Sequence, residues 1–198
     1  MAFQNNGFNQ QNQSAATGDK PKTNFPIGYP IRGTDARLDV SVWKSSSAVF
    51  TILQIKQMIG KDPASGQPVY ENKSPKELPR IFLNPEMAKA LLFAMESADM
   101  NNINIDVPQS LVNKNNTNKI TMTGTNNQVK ITIESPSNGN RTITLDGIPT
   151  GAITVNSNWT SLIEMLKIAC KKAMTARLDP SEFGFAVSGD DNSEESPF

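Results

Sequence analysis

Histidine is absent from all 198 residues. That removes the commonest general base, the commonest metal ligand and every Ser-His or Cys-His nucleophile pair. Neither a GxxxxGK(S/T) phosphate loop nor a GxGxxG fingerprint occurs. The acids form no close pair on a recognisable pocket element. The sequence therefore points away from an enzyme and calls for no cofactor and no metal. One cysteine, Cys170, excludes an intrachain disulfide and fits a reducing cytosol. No run of eighteen apolar residues is present, so a spanning helix and a membrane partner are not expected. The opening "MAFQNNGFNQQNQSAATG" has neither the basic start nor the apolar stretch of an export signal, which predicts a cytoplasmic protein.

The charges sum to zero but are unevenly placed. From Asp179 onward there are six acids and no Lys or Arg, so residues 1–178 hold all 19 bases against 13 acids, a net of +6. A basic body with an acidic end fits a polyanion-binding surface and a detachable negative segment. Charge alone equally fits a solubilised body with a disordered end.

Residues 1–33 are rich in Asn and Gln and then broken by Pro26 and Pro30, the composition of a disordered or extended arm. From Asp35 the pattern turns regular. "RLDVSVW" alternates Leu38, Val40 and Val42 inward with Asp39, Ser41 and Trp43 outward, the period of a half-buried strand. "SAVFTILQIKQMI" reads as a long strand, followed by a Gly/Pro/Ser-rich excursion over 60–79 and the short strand "RIFLN". "NPEMAKALLFAMESA" is a predicted helix, with Asn84 as cap, Pro85 at its first position and Glu86 at the positive end of its dipole. Met87, Ala88, Leu91, Leu92 and Met95 form its apolar stripe.

The Asn-heavy stretch 101–118 reads as a linker. "KITMT", "QVKITIE", "RTITL" and "AITVN" are four further alternating strands separated by turn-forming residues. A last helix, "SLIEMLKIACKKAMTARL", opens with Ser161 and Glu164 at capping-box spacing. Leu162, Met165, Leu166, Ala169 and Ala173 make its apolar stripe, and Trp159 beside it seals the core. The expected class is α+β: strands then a helix, twice, over 35–99 and 119–178. The two helices pack together to make one body over 34–178, and 179–198 form a disordered acidic tail.

"LPRIFLNPEMAKALLFAMESAD", residues 78–99, resembles the strand-to-helix segment of the positive cofactor four family of single-stranded-DNA-binding proteins, whose Leu-(Asn/Ser/Thr)-Pro-Glu step is matched by Leu83, Asn84, Pro85 and Glu86. The resemblance covers about 35–99, and "VWKSSSAVFTILQI" fits the preceding hairpin in pattern. In that family a subunit is a curved antiparallel sheet of four strands plus one helix, and two subunits pair through their helices. Two such units in one chain are similar to the Whirly architecture. The second half lacks the Asn-Pro-Glu step, and the 60–79 excursion is a departure. The end of the chain is similar to that of many bacterial and phage single-stranded-DNA-binding proteins: Asp190, Asp191, Glu194 and Glu195 precede Pro197 and Phe198. This second resemblance implies a docking peptide for replication or repair partners, since an aromatic ring with a free carboxylate fits an apolar pocket edged by Arg or Lys.

What the resemblance implies is single-stranded-DNA binding in replication, recombination or repair, which needs cations along a backbone track and exposed rings for stacking. Trp43, next to Lys44, is either a stacking ring or a cover for the sheet edge. Phe50 shares a face with Lys56 and is either core or part of the same surface. Lys61, Tyr70, Lys73 and Lys76 in the excursion, with Arg80 after it, form either a basic flap or a solvated hairpin extension. Lys130 and Arg141 are expected to point away from the Val129, Ile131, Ile133 and Ile143 face, alongside Thr132, Thr142 and Thr144. Two rival readings remain: a regulator that binds specific or duplex DNA, and a phage virion or assembly protein tethered into oligomers by its Asn/Gln-rich arm. The charge split generates a prediction. Deleting residues 189–198 is expected to raise affinity for single-stranded DNA at low salt, because the tail competes for the basic body; unchanged affinity in a binding titration refutes that competition.

Overall fold

The computed structural model describes residues 24–44, 48–74, 76–112 and 114–178. The first half contains β1 (Asn24–Pro26), β2 (Ile31–Arg32), β3 (Ala36–Lys44), β4 (Val49–Lys61), β5 (Pro68–Tyr70), β6 (Arg80–Leu83) and helix α1 (Pro85–Glu96). The second contains β7 (Ile103–Pro108), a single 3-10 turn at Lys114–Asn116, β8 (Lys119–Thr125), β9 (Gln128–Ser135), β10 (Gly139–Asp146), β11 (Ile148–Thr150), β12 (Ile153–Val155) and helix α2 (Ser157–Leu178). All strand pairings are antiparallel. The α+β class is as expected.

β3 and β4 form the spine of the first sheet. On one side β1 and β2 pair with β3; on the other, β6 pairs with the start of β4 and β5 with its far end. Leu38, Val40, Val42, Leu53, Ile55, Ile81 and Leu83 fill the inner face and are buried. The arm expected over 1–33 is docked from Asn24 onward: Ile27 and Ile31 enter the core, and β1 and β2 take up the free edge of β3. Burying two isoleucines and pairing an otherwise open edge outweighs the Pro-rich composition there.

The second sheet has the order β10-β9-β8-β7. Its edge strand β7 lies in the segment that reads as a linker. "INIDVP" sends Ile103, Ile105 and Val107 into the core, and the surrounding asparagines mask that short alternation. "AITVN" does not join this sheet; β12 pairs only with β11 as a separate ribbon.

Asn84 caps α1, its Oδ1 accepting the Met87 N–H at 2.8 Å. For α2 the Ser161 capping box is replaced by an earlier start. Asn156, 2% exposed, accepts the Trp159 N–H at 3.1 Å and donates through Nδ2 to the Leu145 carbonyl at 3.0 Å. One buried amide thus begins the helix and fastens it to β10, five residues before the expected cap. Ser161 and Glu164 fall inside the helix, where Glu164 pairs with Lys167 at 2.9 Å. Lys167 also reaches Glu96 at 3.1 Å, bridging the two helices. Trp159 is buried, as expected, and the inner faces of both sheets and both helices contribute to one core.

The halves are also joined away from the helices. Glu71, 8% exposed, accepts Arg141 Nε at 3.2 Å and the Gln57 N–H at 3.0 Å. Gln57 Nε2 donates to the Thr142 carbonyl at 2.8 Å. Close contact at Gly33 adds to the joint, since a Cβ there would run into the Thr144 carbonyl oxygen. Burial opposes ionisation of Glu71, but hydrogen bonds from Arg141 and the Gln57 N–H, with the charges of Arg141 and Lys73, outweigh it and hold the carboxyl below its ordinary value. Because folding lowers this pKa, the stability it supplies is complete above the unfolded carboxyl range and fades as pH falls through the folded value. Glu71→Gln is expected to cost about 1–3 kcal/mol by leaving Arg141 without its counterion. Thermal melts should show a drop of several degrees at pH 7 that narrows toward acid pH; an unchanged melting temperature would disprove the joint.

Candidate nucleic-acid interface

The face of the first sheet that turns away from the core is set by strand alternation. In β3 the residues between the buried ones are Arg37, Asp39, Ser41 and Trp43, all half-buried. Register places Trp43 opposite Phe50, Ser41 opposite Ile52, Asp39 opposite Gln54 and Arg37 opposite Lys56. β6 adds Phe82 opposite Ile52 and Arg80 opposite Gln54. One surface therefore carries three aromatic rings at one end and three cations spread toward the other.

The rings touch one another. Trp43 and Phe50 stack with centroids 5.9 Å apart, and Phe82 meets both edge-on at 6.2 and 6.1 Å. Ile52, 6% exposed, sits beside them in register and lies outside the main core. The Arg80 guanidinium lies 4.7 Å over the Phe82 ring. Partial burial lowers the Arg80 pKa from its usual value, yet an arginine remains charged at any physiological pH. This is an outward patch of π-faces with a cation at its border, the pairing that base stacking and phosphate attraction require.

At the opposite end, β4 runs beyond β6 and turns back as β5. Asp62 Oδ1 accepts the N–H groups of Ala64 and Ser65 at 2.8 Å, which tightens the turn and lowers the Asp62 pKa. The 60–79 excursion is thus in part a paired hairpin extension. Tyr70 lies under Arg37, whose guanidinium carbon is 4.9 Å from the ring centroid. Arg37 Nε and Lys56 Nζ share Asp39, at 3.4 and 3.9 Å.

Of the residues expected from sequence, Trp43, Phe50, Lys56, Tyr70 and Arg80 are gathered on this face and its hairpin. Phe50 resolves to the outward register. Lys61 is exposed at the far end of β4, Lys73 sits 3.9 Å from Glu71, and Lys76 is exposed beside the second sheet, its carbonyl accepting Asn138 Nδ2 at 3.1 Å. Lys44 ends β3 on the opposite register from Trp43. Lys130 does point outward on the second sheet, beside Thr132, Thr142 and Thr144, and Thr132 and Thr142 share a hydroxyl hydrogen bond of 2.9 Å. Arg141 does not: it is in register with Ile133, on the core-side parity of Ile143 and Leu145, and is neutralised by Glu71. Asp190, Asp191, Glu194, Glu195, Pro197 and Phe198 lie outside the described residues.

Arg37, Ile52, Gln54 and Phe82 complete the face but are not evident from sequence. Arg37 shares the odd parity of Trp43, and Phe82 that of Arg80, so strict alternation was the available signal. Among the described residues no cluster of His, Cys, Asp and Glu is arranged to hold a metal, and no helix is long and apolar enough to cross a membrane. Comparison with protein-family models, curated proteins and solved structures finds no match to this chain.

Of the two tryptophans, Trp159 is 3% exposed and Trp43 half-buried on the outer face. Acrylamide is expected to quench Trp43 emission in the free protein while leaving Trp159 largely shielded. Trp43→Phe should remove most of the quenchable signal; a quenchable fraction that survives this substitution contradicts the placement.

Proposed function

We propose that this protein is a non-catalytic single-stranded-DNA-binding protein of DNA replication, recombination or repair. Its fold, by this reading, is Whirly-like: two units of antiparallel strands and a helix, paired within one chain through the helices. The observation that carries the proposal is the outward Trp43–Phe50–Phe82 cluster with Arg80 at its border. Aromatic side chains normally contribute their area to a core. Three rings massed on the solvent side of a sheet, with cations along the same strands, match what an unpaired polynucleotide offers: π-faces and a phosphate track. Duplex DNA hides its base faces, so the same patch discriminates against it. The acidic tail with its Pro-Phe end serves to recruit replication or repair proteins in the cytoplasm.

Titrating the protein with oligo-dT while following tryptophan emission tests the reading, with Trp43 as the responsive ring. Emission is expected to fall on binding, and affinity to weaken from low to high salt as counterions return to the strand. Trp43→Ala is expected to cost about 1–3 kcal/mol of affinity, the worth of one stacked base. Duplex competitor should displace oligo-dT poorly. Absence of oligo-dT binding, or preference for duplex, overturns the proposal, and preference for duplex favours a regulator of specific DNA.

A further inference from the structure

The β4–β5 hairpin and the outer face of the first sheet enclose a groove of about 410 Å3, lined in part by Arg37, Lys56, Gln67, Tyr70 and Asn72. The acids around it are committed elsewhere. Asp62 holds the turn through the Ala64 and Ser65 N–H groups, and Glu71 holds Arg141 and the Gln57 N–H. Two cations, Arg37 and Lys56, share the single carboxylate of Asp39. Tyr70 holds the Arg37 guanidinium through a cation–π contact of 4.9 Å, and the arginine side chain keeps 30% of its exposure. A guanidinium held against a ring, partly exposed and only half neutralised, is suited to grip a phosphate oxygen.

We propose that this groove is a phosphodiester subsite, in which Arg37, oriented by Tyr70 and assisted by Lys56, clamps a backbone phosphate of the strand whose bases stack on Trp43, Phe50 and Phe82. The inference rests on the single-stranded-DNA reading above. Phe50 and Lys56 lie six residues apart on one face of β4, a separation of about 20 Å. A short oligomer therefore reaches the rings alone, and only a longer one occupies both places. Asp39 acts as the internal counterion that the phosphate displaces.

The test is a length series of dT oligomers, from about 4 to 16 nucleotides, on the full chain. Wild type is expected to show a step in affinity once the oligomer spans both subsites. Arg37→Ala is expected to remove the step, lowering long-oligomer affinity roughly tenfold and short-oligomer affinity far less. Its salt slope for long oligomers should fall by about 0.7. Tyr70→Ala, which removes the platform and no charge, is expected to lose the step as well. Asp39→Asn frees both cations and is expected to raise long-oligomer affinity about threefold, a gain that misfolding cannot imitate. Equal losses for short and long oligomers in Arg37→Ala, or an unchanged step, overturn the subsite and leave the stacking face standing. Failure of wild type to bind any oligomer overturns both.

Discussion

The antiparallel pairing of β3 with β4 is the constraint on which everything else depends. Nine residues of β3 meet nine of β4 without a bulge, from Ala36 opposite Gln57 to Lys44 opposite Val49. A slip of one residue would turn Leu38, Val40 and Val42 to solvent and bury Arg37, Asp39 and Trp43. Core formation therefore fixes the outer surface as a by-product. The rings are aligned because the aliphatic side chains behind them have only one register that buries them all. Stability and the candidate interface are two faces of a single choice.

How much of this the sequence discloses depends on how cleanly each segment alternates. β3 is legible because its apolar and polar residues strictly alternate, so Trp43 is placed outward from sequence alone. β4 is not: "VFTILQI" carries apolar residues on both parities, and Phe50 and Ile52 resemble core until the register with Trp43 and Phe82 is known. Phe82 is hidden in a strand of four residues, too short to show a period. Arg141 misleads for a different reason. A charge in an otherwise apolar register reads as outward, and the residue that makes its inward position tolerable, Glu71, lies 70 positions away. No local pattern carries that information.

Helix starts show the same division between local and distant causes. The Asn84–Pro85–Glu86 step is self-contained, and α1 begins where it predicts. The start of α2 is fixed by Asn156, whose side chain must also satisfy a carbonyl of β10, so a tertiary contact overrides the Ser161 spacing. β7 belongs to the distant class too. Its three inward side chains gain their value from the sheet and helix they meet, and asparagines on either side conceal them.

The border of the first sheet beside the rings has one more implication. Beyond β6, two of the backbone groups that would invite another strand are engaged by side-chain amides from the second half: Gln109 Oε1 accepts the Phe82 N–H at 3.1 Å, and Asn118 Nδ2 donates to the Arg80 carbonyl at 2.6 Å. Main-chain zippering to a neighbouring molecule is obstructed at this margin. A molecule approaching this margin would meet side-chain amides before main chain, a contact that forms and parts without unravelling the sheet.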